Sequence, residues 1–269
     1  MNSLSFFYTH PIFRYEEFSA WKKENGVKTK NAVRKALYYH TRRKHILNIL
    51  RGIYGVIPPS GSENLFFDPY LIAAKGAEES ILAYHTTLEL HGVAYSIFEK
   101  FTFITPHKNK PFEFQGQWFQ PVAIPKSLKN TKMEPFAIEK MNRQGINVSI
   151  TNLARTFVDV LDRPGLSGGW EEVVRSINNI AYLNVDEVIE YCLLLKNRVL
   201  AAKVGFFLEQ RKGAFAIEAK KLERLLFLKP SSARYIEENK TDCRFVKKWN
   251  LFIPVKILDK IWEEPNNDI

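Results

Sequence analysis

The residues best equipped for chemistry in this chain are hydrogen-bond donors, most of them permanently charged. They are Lys28, Lys30, Asn31, Arg34, Lys35, Tyr38, Arg42 and Arg51, gathered in one short stretch. Ammonium and guanidinium groups aligned along one face neutralise phosphates and release their condensed counterions. Arg and Asn can in addition grip base edges in a bidentate way. The charge is concentrated there: residues 1–57 hold 11 Lys/Arg against three acids, whereas the remainder holds 28 against 26. The net charge of +10 is therefore a local property of the first part. A basic segment beside a nearly neutral body implies a polyanionic partner of its own.

Two further clusters invite a chemical reading. Tyr84, His85, Thr86, Glu89 and His91 crowd together, as acid/base groups do. No acid stands at a spacing that makes a triad or a metal site, so these histidines are expected to mark helix ends, where they favour the dipole. Arg155 and Asp159, with Thr156 beside them, stand four apart on a predicted helix and can pair. Glycines 165, 168 and 169 lack the Lys and spacing of a phosphate loop and read as a turn. No catalytic residue, metal ligand or cofactor is expected.

The elements that must position the basic set follow from periodicity. Tyr15 to Glu24 reads as a short helix stopped by Asn25-Gly26. A second helix begins at Thr29 or Lys30, capped by Thr29 or Asn31. Its apolar face is Val33, Ala36, Leu37 and His40, leaving Lys30, Asn31, Arg34, Lys35, Tyr38 and Arg42 opposite. Ile46–Ile49 and Ile53–Val56 then predict a hairpin turning at Leu50-Arg51-Gly52. Helix, turn, basic helix and basic-tipped hairpin together predict a winged helix-turn-helix over residues 1–57. A basic helix alone could be a solvated face or lie on an anionic membrane. The hairpin and the small apolar stripe favour DNA.

Residues 58–67, with Pro58-Pro59-Ser60-Gly61-Ser62-Glu63-Asn64, are expected to be a linker. Residues 68–269 predict an α+β body, a small sheet covered by helices. Asp68-Pro69 opens a helix through Lys75, and a helix near Thr86 closes at Gly92. Strands are predicted at 101–105, 118–124, 136–140 and 146–150, the last two around Arg143-Gln144-Gly145. Helices are predicted at 152–161, capped by Thr151, and at 170–178, 186–195, 198–210 and 216–226. Residues 244–257 are expected to close the chain as an edge strand.

Composition sets the outer limits. At 269 residues and 45% apolar content the chain can hold two domains and a sizeable core. No run approaches 18 apolar residues, and no leader pattern opens the chain, so no membrane partner is expected. Cys192 and Cys243 stand alone, with no zinc-ligand or disulfide spacing. A cytoplasmic location is the expectation.

Taken in order, RKALYYHTRRKHILNILRGIYGV, DPYLIAAK, ILAYHTTLELHG, TNLARTFVDVLDRP and GGWEEVVRSI resemble the AbiEi-type antitoxins of type IV toxin–antitoxin, or abortive infection, systems. The likeness runs from about residue 10 to 260. It implies a winged helix that represses its own promoter at inverted repeats, and a larger antitoxin domain. It also implies a nucleotidyltransferase-like toxin that is counteracted without a stable complex. Arg155, Thr156 and Asp159 then become the expected antitoxin surface, or an anchor of their helix to the sheet. The wing, preceded by His45 and Asn48, is less basic than the family's usual form.

The sequence admits two rival readings. One is a stand-alone transcription factor whose second domain senses a ligand or dimerises. The other is a DNA-targeted nuclease, for which Glu113, Glu139 with Lys140, and Glu218 with Lys220 are the only fragments, none with a partner acid on an identifiable neighbouring strand.

Overall fold

Six elements open the chain. In this computed structural model, which describes residues 3–59, 65–129 and 135–259, they are α1 Ser3–Thr9, β1 Ile12–Arg14, α2 Tyr15–Glu24, α3 Lys30–Arg42, β2 Ile46–Leu50 and β3 Ile53–Val56. Strand β3 lies between β1 and β2, antiparallel to both, with a bulge between Asn48 and Leu50. The core under these strands is aromatic: Phe6, Phe7, Phe13 and Phe18 pack with Val33, Leu37 and Ile46. Burying each such side chain contributes about 1.5–3 kcal/mol, and without the phenylalanines of α1 and β1 there would be little core. Neither α1 nor β1 was expected from the sequence.

The rest of the chain is α4 Pro69–Lys75, β4 Ile81–Leu82, α5 His85–Leu90, β5 Lys100–Thr105, β6 Phe112–Phe114, β7 Gln117–Ala123, β8 Ile138–Arg143 and β9 Ile146–Thr151. Then come α6 Leu153–Asp162, a 3-10 turn at Pro164–Ser167, α7 Trp170–Asn178, α8 Val185–Leu195, α9 Arg198–Gln210 and α10 Ala219–Leu228. Strands β10 Arg234–Tyr235, β11 Cys243–Val246 and β12 Leu251–Pro254, with α11 Val255–Leu258, complete the described part. The fold is α+β.

Strands β4 to β9 form a six-stranded sheet of order β6-β7-β5-β4-β9-β8, in which β5 and β7 run parallel. A second, three-stranded sheet has β12 at its centre. The expected single edge strand at 244–257 is therefore corrected. Asn250 takes a left-handed conformation (φ +53°), so the chain reverses between β11 and β12. Trp249 in that turn is fully buried. A Cβ on Gly205 would lie 2.2 Å from the Trp249 ring, so α9 must present a glycine there.

The chain divides into two compact units, and the division does not fall at the expected linker. One comprises Met1–Leu82, Glu99–Ala123 and Lys140–Ser149; the other comprises Ala83–Phe98, Ile124–Glu139 and Ile150–Ile269. Residues 60–64 of the expected linker lie outside the described residues. Within the first unit Asp68 caps α4 by accepting from the Tyr70 and Leu71 amides, and its other oxygen receives Arg143 Nε at 2.6 Å. The core of the second unit is built on α6 to α10, with Phe157, Val158, Val173, Val188, Val204 and Leu208 wholly buried.

Candidate nucleic-acid interface

The N-terminal face is assembled from caps and periodicity. Glu17 Oε2 accepts the Arg14 amide at 2.7 Å and so starts α2. Gly26, at φ +86°, ends the turn that follows it. Thr29 caps α3 by accepting the Ala32 amide at 3.2 Å, which settles the choice between Thr29 and Asn31. Val33, Leu37 and His40 are buried on one side of α3, with Ala36 half-buried at the edge. Lys30, Asn31, Arg34, Lys35, Tyr38 and Arg42 are all exposed on the other, and Lys28 is exposed just before the cap.

The hairpin β2–β3 turns at Arg51-Gly52, and Gly52 has φ +85°, a conformation that favours glycine. Arg51 is exposed at this tip, and the Gly52 carbonyl accepts the Tyr15 amide at 2.8 Å, tying the tip to the start of α2. Between α3 and the hairpin lies a cleft of about 660 Å³, lined by Tyr15, Glu16, Arg34, Leu37, Tyr38, Thr41, Asn48, Arg51, Gly52 and Tyr54. Of the eight sequence-expected residues, Arg34, Tyr38 and Arg51 meet at this cleft. Lys28, Lys30, Asn31, Lys35 and Arg42 stand on the exposed surface outside it.

The electrostatics of this face are unusually uncompensated. Helix α3 contains no acidic residue. Among the described residues none of Lys28, Lys30, Arg34, Lys35, Arg42 and Arg51 is ion-paired with a carboxylate. Arg42 lies 5.7 Å from the Tyr38 ring, and Arg43 takes the same position over Tyr39, so both guanidinium groups rest on aromatic faces. His40 contributes no charge at neutral pH. Burial, then electrostatic interactions with His45 and Lys22, hold it down at about 4. Its Nδ1 lies 3.0 Å from His45 Nδ1, joining the end of α3 to the start of β2. Tyr15, Glu16, Asn48 and Tyr54 were not foreseen as lining residues, because they come from three different elements and share no sequence spacing.

The second unit places its clusters inside, not on a surface. Arg155 and Thr156 are fully buried and Asp159 is 2% exposed, so the expected antitoxin surface over these three residues is corrected. Helix α6 is covered along almost its whole circumference, which its i,i+4 spacing alone could not reveal. Arg155 Nη1 donates to the Phe136 carbonyl at 2.8 Å and its Nε lies 3.5 Å from Asp159 Oδ2. Tyr191 donates to Asp159 Oδ1 at 2.8 Å. Burial still pushes Asp159 up to about 6, against the pull of Arg155 and the Tyr191 bond. Thr151 does not cap α6; Asn152 does, accepting the Arg155 amide at 3.0 Å, while the Thr151 hydroxyl meets Thr87 and Thr156 in the interior.

His85 is buried between two carboxylates, Glu89 on its own helix and Glu172 on α7, each at 3.1 Å, and stacks on Phe98. Glu172 lies 87 residues away, which is why no spacing in the sequence announced the cluster. Glu172 also accepts the Tyr95 and Ser96 amides, and Glu89 accepts that of Phe98. Burial raises Glu172, but the bonds from Ser96, His85 and Ser176 outweigh it and hold the group below its ordinary range. The arrangement fastens the loop before Phe98. Its bonds to the main chain at Tyr95, Ser96 and Phe98 suit a structural role. Among the described residues no group of three or more His, Cys, Asp or Glu is placed to hold a metal ion, and no helix is long and apolar enough to cross a membrane.

No protein-family model matches the chain, and no curated protein matches it. Among solved structures it is similar to the Rv2827c protein from Mycobacterium tuberculosis. That likeness has a TM-score of 0.59 at 14% identity, covering 94% of this chain and 90% of the other. At such identity the shared property is the fold.

Proposed function

We propose that α1 to β3 form a winged helix-turn-helix that binds duplex DNA. On this reading the chain is the autorepressor and antitoxin of a type IV toxin–antitoxin system, working in the cytoplasm. The observation that carries the DNA half is the acid-free, solvent-facing side of α3, converging with the Arg51-tipped hairpin on one cleft. A helix of this composition enters the major groove, and an exposed basic tip meets backbone phosphate beside it. The antitoxin half is supported by the ordered likeness of the sequence motifs to the AbiEi-type family. With Arg155, Thr156 and Asp159 buried, the surface that counteracts a nucleotidyltransferase-like toxin lies elsewhere on the chain.

The test is a pair of cell assays. The intact chain should repress a reporter driven by its own promoter, through inverted repeats there. It should also restore growth to cells expressing the adjacent toxin gene, without co-purifying with that toxin at micromolar concentration. Repression without rescue would leave an ordinary transcription factor, and a tight complex would remove the type IV assignment.

A further inference from the structure

The cleft between α3 and the hairpin contains one carboxylate, and it stands where a phosphate-binding surface has no use for one. Glu16 is 64% exposed, and its partner is Arg14 Nε at 3.4 Å. Its neighbour Glu17 already supplies the cap of α2 and the pairing with Lys75, so neither task needs Glu16. The other polar groups of the cleft divide into those engaged by the fold and those free to contact a ligand. The Thr41 hydroxyl donates to the Leu37 carbonyl at 2.9 Å. With its amide oxygen and nitrogen exchanged, Asn48 would donate to the Ile53 carbonyl at 3.1 Å inside the hairpin. Arg34, Arg51 and the exposed Tyr38 hydroxyl remain as donors, and Glu16, paired only with Arg14, as the one anionic acceptor.

A carboxylate facing phosphates weakens binding to every sequence. It improves binding only where a donor on the nucleic acid meets it, and in the major groove that donor is the exocyclic amino group of cytosine or adenine. We propose that Glu16 is a specificity-determining residue, accepting from an exocyclic amino group in the major groove beside the base contacted by Arg34. Arg34 then attracts a base presenting two acceptors, and Glu16 penalises any neighbour that presents an acceptor in place of the amino group. Selectivity of this kind combines an attractive contact with a repulsive one. The inference rests on the reading of this face as a duplex-DNA binder.

The experiment selects duplexes from a random pool with the full-length protein and then measures affinity for every single-base change in the selected site. The wild type should show one position with about a tenfold preference for cytosine or adenine, and the identity of that base distinguishes the two amino donors. Glu16→Ala should flatten that position alone while binding random duplex more tightly than the wild type does. Glu16→Gln, which keeps the shape and an acceptor but loses the charge, should move the preference toward adenine. Unchanged melting temperatures confirm that both variants are folded. If Glu16→Ala strengthens binding equally to all sequences and leaves the selected site intact, Glu16 is a repulsive bystander and the inference is overturned. If the wild type selects no sequence at all, the DNA-binding reading falls, and this inference with it.

Discussion

Arg14 Nη1 donates to the main-chain carbonyl of Lys75 at 2.9 Å, across 61 residues of chain. The contact is doubled, because the Lys75 ammonium pairs with Glu17, which also accepts the Arg14 amide. Nearby, a Cβ on Gly55 would lie 2.3 Å from the Phe67 ring, so β3 packs tightly on the segment leading to α4. The N-terminal elements are thus held by residues beyond the expected linker. A fragment of residues 1–57 should melt well below the full chain, or without a cooperative transition, as read by circular dichroism. Glu17→Ala in the full chain should cost about 1–2 kcal/mol through the lost cap. A fragment 1–57 as stable as the parent would show these contacts to be incidental.

Arg34→Ala and Lys30→Ala should each weaken operator binding by about 1–3 kcal/mol if they touch bases, with melting temperature almost unchanged because both are exposed. Arg51→Ala should weaken binding to all duplexes by a similar factor, as expected for a contact to backbone phosphate. Fluorescence anisotropy with cognate and random duplexes separates the two patterns. Loss of fold in any of the three would show the face to be wrongly assigned.

Much of this basic face was legible because it is local. The bounds of α2, the buried stripe of α3 and the turn at Arg51-Gly52 all follow from near-neighbour chemistry, which left the cap of α3 open between Thr29 and Asn31. Short α1 and β1 were not legible: three to seven residues hold too little periodicity to register, although Phe6, Phe7 and Phe13 complete the core. Glu172 meeting His85 was not legible for another reason: the two are 87 residues apart and no local spacing links them. For Arg155 and Asp159 the spacing showed the pair but not its depth, since a helix covered on all sides buries its polar residues too.

That depth makes its own prediction. Arg155→Ala should destabilise the chain by about 3–5 kcal/mol, because it leaves Asp159 buried without its cation and opens a cavity beside Tyr191. Any loss of toxin rescue should therefore track loss of soluble, folded protein. A variant that melts like the parent yet fails to rescue would restore a direct role for this residue.

Acid should act on His40 in a defined direction. Its folded value of about 4 lies below the ordinary 6.5 of a free histidine, so the unfolded chain binds the proton more readily. The stability that His40 contributes is present above pH 6.5 and is lost as pH falls through 6.5 toward 4. Asp159, raised to about 6, works the other way and gains stability over its own window as pH falls. Thermal melts from pH 7 to 4 should show a shallower acid decline in His40→Gln than in the parent. An identical slope would mean that His40 titrates normally in the folded chain.

Duplex binding by the intact protein, measured against salt concentration, bears most directly on the function proposed. If about five phosphates are neutralised by the exposed lysines and arginines of α3 and the hairpin, the log–log slope of affinity against salt should be about −4 to −5. Binding to the chain's own promoter should at the same time exceed binding to random duplex at moderate salt. A slope near zero, or equal affinity for the promoter and random sequence, would contradict the assignment of this face to specific DNA recognition.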